Sequence, residues 1–60
     1  PYYTFVGVIE EYAYLIPEGL PMTTENVDKY KVGDILEGYG KILKIREDDV
    51  ITEKGKMLKK

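Results

Sequence analysis

The sequence has no cysteine and no histidine. Disulfide staples and Cys/His zinc sites are therefore closed to it, as is any chemistry that needs a thiolate nucleophile or an imidazole acid or base. Serine, glutamine and tryptophan are missing too, so no serine nucleophile exists. Asp, Glu, Lys, Tyr and Thr are what remain. At 60 residues the chain suffices for one small domain. A domain of that size buries only about 60% of the surface its unfolded chain exposes, so its core is thin. Charged residues make up 33% and hydrophobic residues 43%. That is too apolar for a disordered chain and too charged for a membrane segment.

Cations are absent from the first half. Residues 1–28 hold five acids (Glu10, Glu11, Glu18, Glu25 and Asp28) and no Lys or Arg, whereas residues 29–60 hold nine bases and six acids. A dipolar surface of this kind suits protein contacts better than a phosphate backbone, which needs clustered cations. The apolar runs are far too short to span a bilayer, and no signal peptide is visible. The sequence starts at Pro1 rather than Met. It reads as one small β domain, residues 1–60, excised from a longer protein.

Tyr3-Thr4-Phe5-Val6-Gly7-Val8-Ile9 is β-branched and aromatic, which is strand chemistry. Glu10-Glu11 interrupts the apolar pattern, and Tyr12–Ile16 resumes it until Pro17. A tight hairpin centred on Glu10–Glu11 is the economical reading. Residues 17–26 contain two prolines and form a loop. Beyond it the punctuation is regular. Strands are expected at Val27–Val32, Ile35–Leu36, Lys41–Arg46, Val50–Thr52 and Met57–Leu58. Turns are expected at Gly33-Asp34, Gly38–Gly40, Glu47–Asp49 and Lys54-Gly55. This spacing predicts an all-β fold, a small sandwich or barrel of six to seven short antiparallel strands, with no helix beyond a single turn. The expected core is Phe5, Ile9, Leu15, Val32, Leu36, Ile42, Ile45, Val50 and Leu58. The final Lys59-Lys60 pair is expected to fray.

The remaining constellations read as structure. Glu47-Asp48-Asp49 lacks the spacing of a calcium loop and is a turn. Glu10-Glu11 cannot be a pair of catalytic carboxylates, because neighbours on a strand point to opposite faces. Gly38-Tyr39-Gly40 lacks the third glycine and the helix of a dinucleotide fingerprint. Tyr12 and Tyr14 share a strand face and resemble a stacking platform, but no Lys or Arg precedes Lys29 to flank them. No enzyme, metal or cofactor is expected.

Two stretches together carry a resemblance. The first is Phe5-Val6-Gly7-Val8-Ile9 followed by Tyr12-Ala13-Tyr14-Leu15-Ile16. The second runs from Tyr30-Lys31-Val32-Gly33-Asp34-Ile35-Leu36 through Gly38-Tyr39-Gly40-Lys41-Ile42-Leu43-Lys44-Ile45 to Asp49-Val50 and Lys54-Gly55. This order resembles the periplasmic domain of the type IV pilus protein PilP, and is similar to the homology-region domain of the type II secretion component GspC. The resemblance implies two small antiparallel sheets packed face to face. It also implies a non-catalytic role in the periplasm, tethered to the inner membrane by a segment outside this sequence. There the domain would link the inner-membrane platform protein to the outer-membrane secretin. Val32-Gly33-Asp34 also resembles part of the S1-type RNA-binding barrel, so an S1/OB-like RNA-binding module is the alternative.

The expected docking element is the first strand. It is terminal, carries no charge and is apolar on both faces, with Phe5 and Ile9 on one and Val6 and Val8 on the other. An exposed strand edge offers unpaired main-chain groups to a partner strand. Tyr3, Thr4, Val6, Val8, Glu10 and Glu11 are the candidate protein-binding residues, the two glutamates favouring a basic partner. The same features would let the domain pair weakly with itself. Neither nucleic acid nor membrane contact is expected of it.

Overall fold

A computed structural model describes residues 2–60. Seven strands form: β1 (Tyr3–Ile9), β2 (Tyr12–Pro17), β3 (Asp28–Tyr30), β4 (Ile35–Leu36), β5 (Gly40–Ile45), β6 (Asp49–Thr52) and β7 (Gly55–Leu58). The only helical piece among the described residues is one 3-10 turn, Thr24–Asn26, in the loop after Pro17. The strands make two antiparallel sheets, one in the order β1-β2-β3 and the other β4-β5-β6-β7. The fold is thus the all-β, sandwich-like one that the sequence pattern predicts.

Both sheets supply the core. Phe5, Ala13 and Leu15 come from the first, and Leu36, Ile42, Val50 and Met57 from the second. Ile45, Val8 and three tyrosines, Tyr3, Tyr30 and Tyr39, pack around it. The tyrosines meet edge-on or tilted, Tyr3 lying 6.1 Å from Tyr30 and 6.2 Å from Tyr39 between ring centroids. That spacing is favourable for the ring quadrupoles.

Three expected core residues are instead exposed: Ile9, Val32 and Leu58. Each has a local cause. In β1 the register shifts between Phe5 and Gly7, so Val6 is a bulge residue. Beyond it the facing pairs are Gly7↔Tyr14, Val8↔Ala13 and Ile9↔Tyr12. Ala13 is buried, so Val8 turns inward and Ile9 outward, the reverse of simple alternation. Val32 is the second residue of a four-residue turn, closed by the Asp34 N–H donating to the Lys31 carbonyl at 3.0 Å. The Asp34 carboxylate accepts the Lys31 N–H at 3.0 Å, and Gly33 takes φ +100°, which a side chain resists. In β7, Met57 faces buried Val50, which sends its neighbour Leu58 outward. A second bulge at Leu43 lets both Ile42 and Ile45 face inward although three residues apart.

The first hairpin closes on Glu10, whose φ is +56°. A left-handed conformation costs a non-glycine residue about 1–2 kcal/mol. Glycine forfeits about 0.5–1 kcal/mol of that gain through its greater unfolded-state freedom. Glu10→Gly should therefore stabilise by about 0.5–1 kcal/mol, raising the melting temperature by about 2–8 °C. A thermal melt that falls instead would show that the Glu10 side chain contributes more than its backbone costs.

The C-terminal pair is not frayed. Lys59 forms a parallel bridge with Phe5, and the Lys60 N–H donates to the Phe5 carbonyl at 3.0 Å. The Lys59 N–H donates to the Asp48 carbonyl at 2.9 Å. This junction joins the second sheet to the edge of the first.

Candidate functional site

Among the described residues, β1 has β2 on one side, and on the other only the short junction at Phe5. Ile9 and Tyr12 close a two-residue turn, so they are a hydrogen-bonded pair. Alternation along the ladder makes Val8↔Ala13 a non-hydrogen-bonded pair, which aims the N–H and C=O of Val8 away from β2. Among the described residues, no main-chain group of Val6, Gly7, Val8 or Ile9 bonds to a third segment.

This free edge opens onto a groove of about 410 Å³. Val6, Gly7, Val8 and Ile9 form its floor, and Tyr14 and Val27 extend it over the outer face. Its polar groups are Glu47 and Lys59. An open edge beside apolar side chains can accept an extended segment: main-chain bonds would hold it, and its alternate side chains would fill the groove.

The six candidate residues do not lie on one continuous surface. The Lys59–Lys60 junction covers the edge at Phe5 and divides them. Val6 and Val8 line the apolar groove. Tyr3 and Thr4 lie beyond the junction in a more polar hollow with Glu18, Tyr39, Lys56 and Lys60, where the Thr4 hydroxyl donates to Glu18 Oε2 at 3.3 Å. Glu10 and Glu11 are exposed at the hairpin tip. Val8 contributes its main chain to the edge while its side chain packs on the core. Ile9, Gly7, Tyr14, Val27, Glu47 and Lys59 complete the groove and were not among the candidates. Exposure of an apolar Ile beside a turn was the available signal for Ile9. Nothing in the sequence brings Lys59 to Phe5.

The tyrosine platform differs from the sequence reading. Lys29, on β3, faces Tyr14 across the ladder, and its Nζ lies 4.5 Å from the centroid of the Tyr12 ring. Cross-strand pairing supplies the cation that the linear order denied. Tyr30, beside it in sequence, is turned toward Tyr3. Burial, and then the neighbouring Tyr3, Asp28 and Asp34, push its phenol above its ordinary proton affinity.

Glu47-Asp48-Asp49 is not an open acidic cluster. Asp49 begins β6 as a buried residue and accepts two bonds from Arg46, Nε to Oδ1 at 2.7 Å and Nη2 to Oδ2 at 2.8 Å. The Arg46 N–H also donates to the Asp49 carbonyl at 2.8 Å. The guanidinium bonds hold the Asp49 carboxyl below its usual range, against a smaller opposing effect of burial. They also raise the proton affinity of Arg46. Because the folded carboxyl binds its proton less readily than the unfolded one, its stabilisation is present above the ordinary value of 3.8 and is lost as pH falls through the folded value. The Arg46 side chain is 50% exposed, so solvent screens the pair. Asp49→Asn should lower the melting temperature by a few degrees at neutral pH, and the gap to wild type should close on acidification below about pH 4. A gap that stays constant down to pH 2 would assign the loss to packing rather than to charge.

No protein-family model matches the chain, and no curated protein or solved structure matches it.

Proposed function

We propose that this chain is a non-catalytic protein-interaction domain that docks an extended partner strand along the free edge of β1. The outward N–H and C=O of Val8, on an edge that opens onto the apolar groove and bonds to no third segment from Val6 to Ile9, carry the reading. Tyr30, Arg46 and Asp49, whose proton affinities are shifted, lie outside both hollows, as fits a domain that binds rather than reacts. The resemblance to the pilus and secretion domains supplies the setting: the periplasm, with the secretin or the inner-membrane platform protein as partner.

Calorimetric titration of the domain with the periplasmic region of the cognate secretin tests this. Val8→Pro removes the outward N–H without touching the β2 ladder, since edge strands tolerate proline. Ile9→Lys places a charge at an exposed groove position without opening the core. Both variants should fold and lose binding. Wild-type binding that survives both changes would place the site elsewhere, and absence of wild-type binding would remove the secretin. A double lysine change at Val6 and Val8 is a poorer probe, because Val8 packs inward.

A second reading, an RNA-binding module, draws on Lys29 beside Tyr12 and Tyr14. It is subordinate because the Lys29 ammonium already covers the Tyr12 ring on which a base would stack. Gel-shift titration with single-stranded RNA at low salt separates the two. Tight binding that salt and Tyr12→Ala/Tyr14→Ala abolish would favour this second reading.

A further inference from the structure

Along the free edge of β1 the charge changes sign. Glu10 and Glu11 stand exposed at the hairpin end. Lys59 lines the same groove at the other end, bridged to Phe5, with Lys60 bonded beside it. Between these ends lie Val6, Gly7, Val8 and Ile9, none of them charged. Glu47 also lines the groove, so the Lys59–Lys60 end is of mixed charge, while the hairpin end is purely acidic. Turned end for end, the edge sets its two glutamates toward its two lysines.

A two-fold axis sets each residue of one copy against its reciprocal in the other. With that axis through Val8, the two Val8 residues exchange both outward main-chain bonds. Gly7 then faces the partner's Ile9. The strand pairing stops there, because Glu10 and Glu11 form each copy's hairpin turn and the partner's Phe5 edge is held by its own Lys59 and Lys60. The end-for-end arrangement nevertheless brings each copy's hairpin tip, with Glu10 and Glu11, to the end of the groove where the partner's Lys59 and Lys60 lie. We infer that, where no other strand occupies it, the β1 edge binds a second copy of this chain in antiparallel register. The two three-stranded sheets become one of six strands. This rests on the strand-docking reading of the same edge. The bulge at Val6 shortens the stretch that can pair flatly, so the contact is small and belongs with transient interfaces.

Sedimentation equilibrium from about 10 μM to 1 mM tests it, with a reversible rise in mass toward the dimer expected. Lys59→Glu or Glu11→Lys alone sets like charges together twice per dimer and should weaken association at least about tenfold. Lys54→Glu changes the charge equally, but in the turn at the far end of β7, and should associate as wild type does. The decisive sample is an equimolar mixture of Lys59→Glu copies and Glu11→Lys copies. Each meets like charge in its own kind and opposite charge in the other, so the mixture should regain wild-type association. A wild type that stays monomeric, reversals that associate unchanged, or a mixture that fails to recover would each overturn the inference. Should a reversal prevent folding, the wild type in rising salt decides: association must weaken, and salt-independent association overturns it. The secretin titration fails separately. A chain that dimerises with this charge dependence yet binds no secretin loses only the proposed function, and a monomeric chain that binds secretin loses only the dimer.

Discussion

Phe5→Ala should leave much of the population unfolded at room temperature, whereas Ile9→Ala, four residues along the same strand, should barely move the melting temperature. Phe5 is 1% exposed and Ile9 61%. Removing a buried phenylalanine ring costs about 3–5 kcal/mol, the lost transfer energy plus the cavity left behind. Stability scales at about 0.05–0.15 kcal/mol per residue, or about 3–9 kcal/mol for a chain of this length. The Phe5 truncation therefore removes much or all of it. An exposed truncation usually stays within about 0.5 kcal/mol. Urea titration of both variants against wild type measures the pair. Equal losses at the two positions would mean that the bulge at Val6 is absent and that β1 alternates simply.

Gly40→Ala should be strongly destabilising although it lies outside the core. Gly40 starts β5 at φ +81°, where a side chain costs about 1–2 kcal/mol. A Cβ there would lie 2.7 Å from Glu53 Oε1, closer than such atoms come. That oxygen accepts the Lys41 N–H at 2.8 Å, and the Glu53 N–H donates to the Lys41 carbonyl at 3.0 Å. Pushing Glu53 aside breaks the tie between the β6–β7 turn and β5, adding about 1 kcal/mol or more. A total of about 2–4 kcal/mol is expected. In the Glu53→Ala background the carboxylate clash is removed and only the Cβ of residue 53, 3.3 Å away, still crowds the site, so the penalty of Gly40→Ala should fall toward the backbone cost. An undiminished penalty in the double variant would leave the backbone as the whole cause.

The turns were the legible part of this chain. Gly33-Asp34, Gly38–Gly40 and Lys54-Gly55 mark positions where the backbone must reverse, and the segments between them are strands as expected. Local chemistry decides such positions, so a single sequence reveals them. The bulges at Val6 and Leu43 could not be read, because a register shift depends on which partner residue faces the strand. The error at Ile9 follows from the first bulge, whereas Met57 takes the core place expected of Leu58 because the regular β6–β7 ladder sets Met57 against buried Val50. The candidate edge was legible as an uncharged, doubly apolar strand. Its division by Lys59 and the approach of Lys29 to Tyr12 were not, since both join segments remote in sequence.

The junction at Phe5 also governs how the fold bears tension. β1 and the residues around Lys59 run parallel, and they lie near opposite ends of the chain. A pull applied through Tyr2 and Lys60 therefore drags the two segments past each other along their length. It does not peel them apart one bond at a time. The Lys60–Phe5 bond and the packing of Phe5 are loaded together, in shear, before either sheet is stretched. A pull through a hairpin, such as β6–β7, would instead open its ladder bond by bond. The direction of loading, and not only the depth of the core, thus sets the force at which this small sandwich opens.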